Sequence, residues 1–80
     1  MSAEYVPIAC AAHERLEFAV LLRRRLRLIW SSQDGQTQFS ETVLPLDVAT
    51  RAGAEWLSIR RQDGVSEVVR LDRIQAVEEA

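Results

Sequence analysis

Lysine and asparagine are missing from this 80-residue chain, and cysteine, histidine and methionine occur once each. A single cysteine excludes a disulfide within the chain. With only one histidine beside it, Cys10 and His13 supply just two of the four ligands a structural zinc site needs. Three glycines leave no room for a glycine-rich phosphate loop. No apolar run approaches the ~20 residues that cross a bilayer. The first residues, MSAEYVPIACAAH, lack the basic start and apolar stretch of a secretory signal, so a reducing cytoplasm is the expected compartment. No linker, repeat or low-complexity tract interrupts the chain, which reads as one domain over residues 1–80. A chain this short buries roughly 60% of the surface that its unfolded form exposes, which leaves little volume for a deep catalytic pocket. With no nucleophile–base pair in sight either, neither an enzyme nor a cofactor is expected.

Charge narrows the partners. Ten basic residues, all arginine, stand against twelve acidic ones, for a net charge of −2. Chains that live by neutralising phosphates usually carry a positive balance, so nucleic acid is not expected as the main partner, and no membrane is.

The chain reads as an extended lead-in over residues 1–9, set by Pro7, then a helix from about Ala11 to Leu22. At ~100° per residue, Ala12, Leu16, Ala19 and Val20 share one face. His13, Glu17 and Arg24 take the other, with Glu14 on its flank and Leu21 among them. From Arg25 the period becomes twofold: Leu26, Leu28 and Trp30 against Arg25 and Arg27, the alternation of a half-buried strand. Asp34-Gly35 and Asp63-Gly64 mark turns. Further strands are expected over Gln36–Leu44, Glu55–Arg61, Ser66–Leu71 and Gln75–Glu78. Pro45 stops the second of the five, because proline has no ladder donor, and 46–54 is a connection. One helix and about five short antiparallel strands predict an α+β fold, with the helix packed on a small barrel that closes its own edges.

The run LRRRLRLIW (22–30) has two readings. Arg23 and Arg24 suit a helix C-terminus, and Arg25 and Arg27 the wet side of a strand. Alternatively Arg25, Arg27, Arg60 and the neighbouring Arg61, with Trp56 as a stacking platform, form a stripe for single-stranded RNA. Trp56 has the parity opposite to Leu57 and Ile59, which makes it the more exposed tryptophan; Trp30 belongs to the core. Cys10 is expected as a small buried hydrophobe.

Two segments carry a resemblance. Tyr5-Val6-Pro7-Ile8-Ala9-Cys10, followed after five residues by Leu16-Glu17-Phe18-Ala19, resembles the opening of the Rho-binding antiterminators, and Val69-Arg70-Leu71-Asp72-Arg73-Ile74 resembles their closing segment. The resemblance implies an Sm-like (SH3-like) barrel that binds the transcription terminator Rho at or near its RNA-binding domain and blocks RNA loading. Acidic groups on the helix would take the place of RNA phosphate. Carried onto this chain, the Rho-binding residues are His13, Glu14, Glu17 and Leu21, with Asp63 and Glu67 as further charge. Ala11 and Ala12 stand where that family is usually acidic.

Overall fold

The computed structural model describes Ile8 and residues 10–80. Apart from Ile8, which packs against the core, the expected lead-in falls outside the described residues. Helix α1 spans Cys10–Leu22, and five strands follow: β1 Leu26–Ser31, β2 Gln38–Arg51, β3 Ala54–Arg60, β4 Ser66–Arg70 and β5 Ile74–Glu79. A 3-10 turn, Leu71–Arg73, joins β4 to β5. All neighbours pair antiparallel in the order β4-β3-β2-β1-β5.

The expected closed barrel is not formed. The outer strands β4 and β5 are joined by that 3-10 turn instead of a hairpin, and each pairs on one side only. The sheet therefore stays open, bent across β2. The first half of β2 pairs with β1 through Val43↔Leu26, and its second half pairs with β3 from Leu44↔Arg60 onward.

That bend corrects the expected end of β2 at Pro45. The strand runs through the proline for 14 residues, with a register shift between Pro45 and Asp47. A bulge is where a strand tolerates a residue without an N–H, and it turns the strand at the same point. Residues 46–51, expected as a connection, are thus the second half of β2. The reversal into β3 is made by Ala52 and Gly53 alone, both at positive φ, 53° and 75°. Two central residues in that conformation make the tight turn whose twist matches the flanking strands.

The alternation expected along β1 is present: Leu26, Leu28 and Trp30 are buried and Arg27 is exposed. With Leu16, Val43, Leu57, Ile59 and Leu71 they make the core, and Trp30 stacks on Phe39 with ring centroids 5.2 Å apart. Cys10 is a correction. It is exposed at the first position of α1, before the face that reaches the sheet begins.

Helix α1 ends in a left-handed cap. Arg24 N–H donates to the Ala19 carbonyl at 2.9 Å and Arg23 N–H to the Val20 carbonyl at 3.3 Å, with Arg23 at φ 54°. This is the usual glycine position of a Schellman motif, occupied here by a residue with a Cβ. Arg23→Gly should raise stability by about 0.5–1 kcal/mol, the relief of left-handed strain less glycine's entropy cost. A thermal midpoint no higher than that of the parent chain would show the cap to be unstrained.

Candidate functional site

The core face of α1 is narrow. Leu16 is fully buried, Ala19 nearly so, and Ala12 and Val20 are half-buried. Diametrically opposite Leu16, two residues and about 200° away, stands Glu14. Glu14, Glu17 and Leu21 recur at spacings of three and four, so they form one outward stripe. Glu14 and Glu17 are exposed and Leu21 is 74% exposed.

His13 lies elsewhere, at the border of that stripe. Its Nδ1 is 3.0 Å from Glu17 Oε1 and its Nε2 is 2.8 Å from Glu55 Oε2 on β3. The imidazole thus lies between two carboxylates, hydrogen-bonded through Nδ1 to Glu17 and in close contact, without an aligned hydrogen bond, with Glu55 of the β2–β3 hairpin. It belongs to the helix's own seating, and only Glu17 of this trio is also outward. On the other flank, Arg15 donates to the Val77 carbonyl of β5 at 3.0 Å. β5 is an edge strand, and this contact covers part of the free edge that would otherwise invite strand addition.

Asp63 and Glu67 do not join the helix. They flank the β3–β4 turn, roughly 15 Å along β3 from Glu55, the residue that receives His13. Asp63 accepts the Val65 N–H at 2.9 Å, an ordinary turn contact. Glu67 is half-buried, with Oε1 3.2 Å from Arg61 Nη1. Arg61 in turn places Nε and Nη2 at 3.1 and 2.9 Å from one oxygen of Glu41, while its guanidinium lies 5.1 Å from the Phe39 ring and 5.7 Å from that of Trp30. The Arg61 hydrogen bonds, helped by the Gln62 N–H, hold the Glu41 carboxyl below its ordinary range, and Glu41 in turn raises Arg61. This Glu41–Arg61–Glu67 cluster roofs the Trp30–Phe39 end of the core. Arg61 therefore leaves the expected basic stripe, and Glu67 leaves the expected docking face.

The other groups of the RNA reading are dispersed. Arg25 is exposed at the end of α1, while Arg27 faces Glu78 across the β1–β5 ladder and donates to Ser40 Oγ at 3.3 Å. Trp56 and Arg60 do share the outer face of β3, four residues apart. Trp56 is half-buried, donates Nε1–H to the Arg51 carbonyl at 3.2 Å and lies beneath the Arg51 guanidinium, so its ring face is already covered. Among the described residues no group of three histidine, cysteine or acidic side chains could hold a metal ion, and no helix is long and apolar enough to cross a membrane.

One surface escaped the reading of the sequence. Phe18 and Leu22, 59% and 54% exposed, lie beside the acidic stripe on the side facing the end of β5. They line an open groove of about 810 Å³ with Ala11, Glu14, Arg24 and Glu79. The signal was present in the spacing: Phe18 and Leu22, four apart, do not belong to the face set by Leu16 and Ala19. The helix carries two apolar sides, and only one meets the sheet.

Fold and surface together define a small α+β domain, one helix on a bent five-stranded antiparallel sheet, that presents an acidic and apolar helix face. No protein-family model and no curated protein matches the chain. A solved structure is similar to it: proteasome accessory factor B/C (PafBC) of Arthrobacter aurescens superposes with a TM-score of 0.78 at 21% identity, over 98% of this chain and 13% of that one. The chain thus spans a small part of that protein's length. At this identity the likeness is one of fold.

Proposed function

We propose that the chain binds the transcription terminator Rho through the outward stripe of α1, competes with RNA for Rho's cationic RNA-binding surface and so reduces Rho-dependent termination. In this reading the sheet is the Sm-like scaffold implied by the resemblance, and the protein acts in the cytoplasm as a binder. The observation that carries it is the pairing of Glu14 and Glu17 with Leu21 on one exposed helical face, opposite the side that Leu16 anchors. Carboxylates at this spacing can replace phosphate against cations, and one apolar side chain a turn beyond them supplies desolvated contact that phosphate lacks. The acting set is smaller than the sequence suggested: His13 positions Glu17, and Asp63 and Glu67 take no part.

Capture of purified Rho, with a termination assay in the presence and absence of the chain, tests this reading. Glu14→Lys combined with Glu17→Lys should cost about 1–3 kcal/mol of Rho affinity and restore termination, because two attractive contacts become repulsive. Undiminished capture by the double variant would remove the helix from the interface. Tight, steeply salt-dependent binding of single-stranded RNA by a chain that ignores Rho would favour the Arg27 and Arg60 surfaces instead.

A further inference from the structure

The groove beside α1 has a charge pattern of its own. Its wall carries Glu14 and Arg15 at one end, Phe18 and Leu22 in the middle, and Arg24 and Arg25 with Glu79 at the other. With Arg15 turned onto Val77, the first end is acidic and the second keeps an excess of one positive charge. Glu14 and Leu22 are eight residues apart, roughly 12 Å at a helical rise, and Arg24 and Arg25 follow just past the helix end. Along the same wall Ala11, Arg15, Phe18 and Leu22 recur at spacings of four, three and four, the period of a seam between two helices. The Arg15 guanidinium is turned onto the Val77 carbonyl, and Ala11 is small, so Phe18 and Leu22 are the large apolar side chains on offer.

An apolar strip with an acidic group at one end and a net positive charge at the other is its own complement under a two-fold rotation. We infer that this groove receives α1 of a second copy of the chain, the two helices antiparallel, with Glu14 of each copy against Arg24 and Arg25 of the other and the Phe18–Leu22 strips packed between them. Antiparallel seating is dictated by the charges, because a parallel arrangement sets Glu14 against Glu14 and arginine against arginine. Phe18 and Leu22 pass from more than half exposed into contact with their own counterparts, which gives the pairing its apolar centre. The dimer goes beyond the proposed function and does not rest on it. Glu14 belongs to both surfaces, so the test leaves Rho out.

Sedimentation of the whole chain across the micromolar to near-millimolar range should show the mass doubling. Phe18→Glu, at an exposed position, should keep the chain monomeric throughout while circular dichroism stays that of the parent. Glu14→Arg makes both ends of the strip basic, and Arg24→Glu with Arg25→Glu makes both acidic. Each of these proteins alone should self-associate at least about tenfold more weakly than the parent, and an equimolar mixture of the two should recover the parent's association. A parent chain that stays monomeric over the whole range overturns the inference. So does a dimer that Phe18→Glu leaves intact, or two oppositely charged variants that fail to pair when mixed. Should Phe18→Glu unfold, the mixing experiment decides alone, since it changes only exposed side chains.

Discussion

Replacing Arg61 with alanine is expected to destabilise the domain by about 3 kcal/mol, a large part of what a chain of this size holds in reserve. One guanidinium does three things. It donates twice to a single oxygen of Glu41, it meets Glu67, and it lies across Phe39 and Trp30. Hydrogen bonds to charged groups are worth about 1.5–3 kcal/mol each when partly desolvated, and the ring contacts add about 0.5–1. Against this stands solvent screening, because Arg61 is 24% exposed and Glu67 34% exposed. Glu41, 16% exposed, is the group left without its cation, and that loss dominates. The thermal midpoint should fall by about 10–20 °C. Arg61→Lys keeps the charge but cannot reach both carboxylates and cover the rings together, so it should recover only part of the loss. A midpoint within a degree or two of the parent's for Arg61→Ala would show the cluster to be surface decoration.

The same cluster gives the domain an acid limit. Glu41's carboxyl is held below its ordinary value of 4.5, first by the Arg61 side chain and then by the Gln62 N–H. A carboxylate more acidic in the folded chain than in the unfolded one stabilises folding above the ordinary value, and that contribution is lost as pH falls through the lowered one. Stability measured by denaturant should therefore drop below pH 4.5, and Glu41→Gln should flatten that part of the profile. An identical acid slope in Glu41→Gln would assign it to other carboxylates.

What the sequence made legible follows from range. The alternation of β1, the Asp-Gly turns and the burial of Trp30 are local facts about period and turn chemistry, and they stand in the fold as read. Pro45 misleads because a missing N–H ordinarily ends a strand, whereas here a bulge absorbs it and bends the sheet. Arg61 misled for a longer-range reason. Twenty residues separate it from Glu41, and nothing local says that β2 and the end of β3 bring them together. An arginine beside another arginine then reads as part of a basic stripe. The candidate site was legible where it rests on one helix and illegible where it drew on the β3–β4 turn, since Asp63 and Glu67 belong to the far end of β3. Closure of the barrel is likewise a long-range matter, since it requires β4 and β5 to pair with each other and each pairs on one side only. His13 read as outward polar surface because only the folded hairpin supplies Glu55.

Leu16→Ala should separate the seating of α1 from the chemistry of its face. Leu16 is the one large side chain of the helix that is fully buried, and its truncation is expected to cost about 2–4 kcal/mol. The loss should be uneven. The sheet keeps its ladders, whereas the helix is left with Ala19, the His13–Glu55 contact and Arg15 on Val77. A 13-residue helix does not hold its shape in water without packing, so an undocked α1 is a largely unfolded one. Hydrogen exchange should show amides of 10–22 opening far more readily than those of β1 and β2. Rho affinity should fall in proportion to the docked fraction, because the partner must then order the helix as it binds. Glu14→Lys with Glu17→Lys is the counterpart: a weaker partner at a stability cost of no more than about 0.5–1 kcal/mol, the worth of the exposed Glu17–His13 contact that is lost. If Leu16→Ala lowers stability evenly across helix and sheet and leaves the partner's affinity untouched, the helix is not an element that opens by itself. The acidic stripe would then have to be sought as part of a rigid whole, with Leu16 contributing to stability alone.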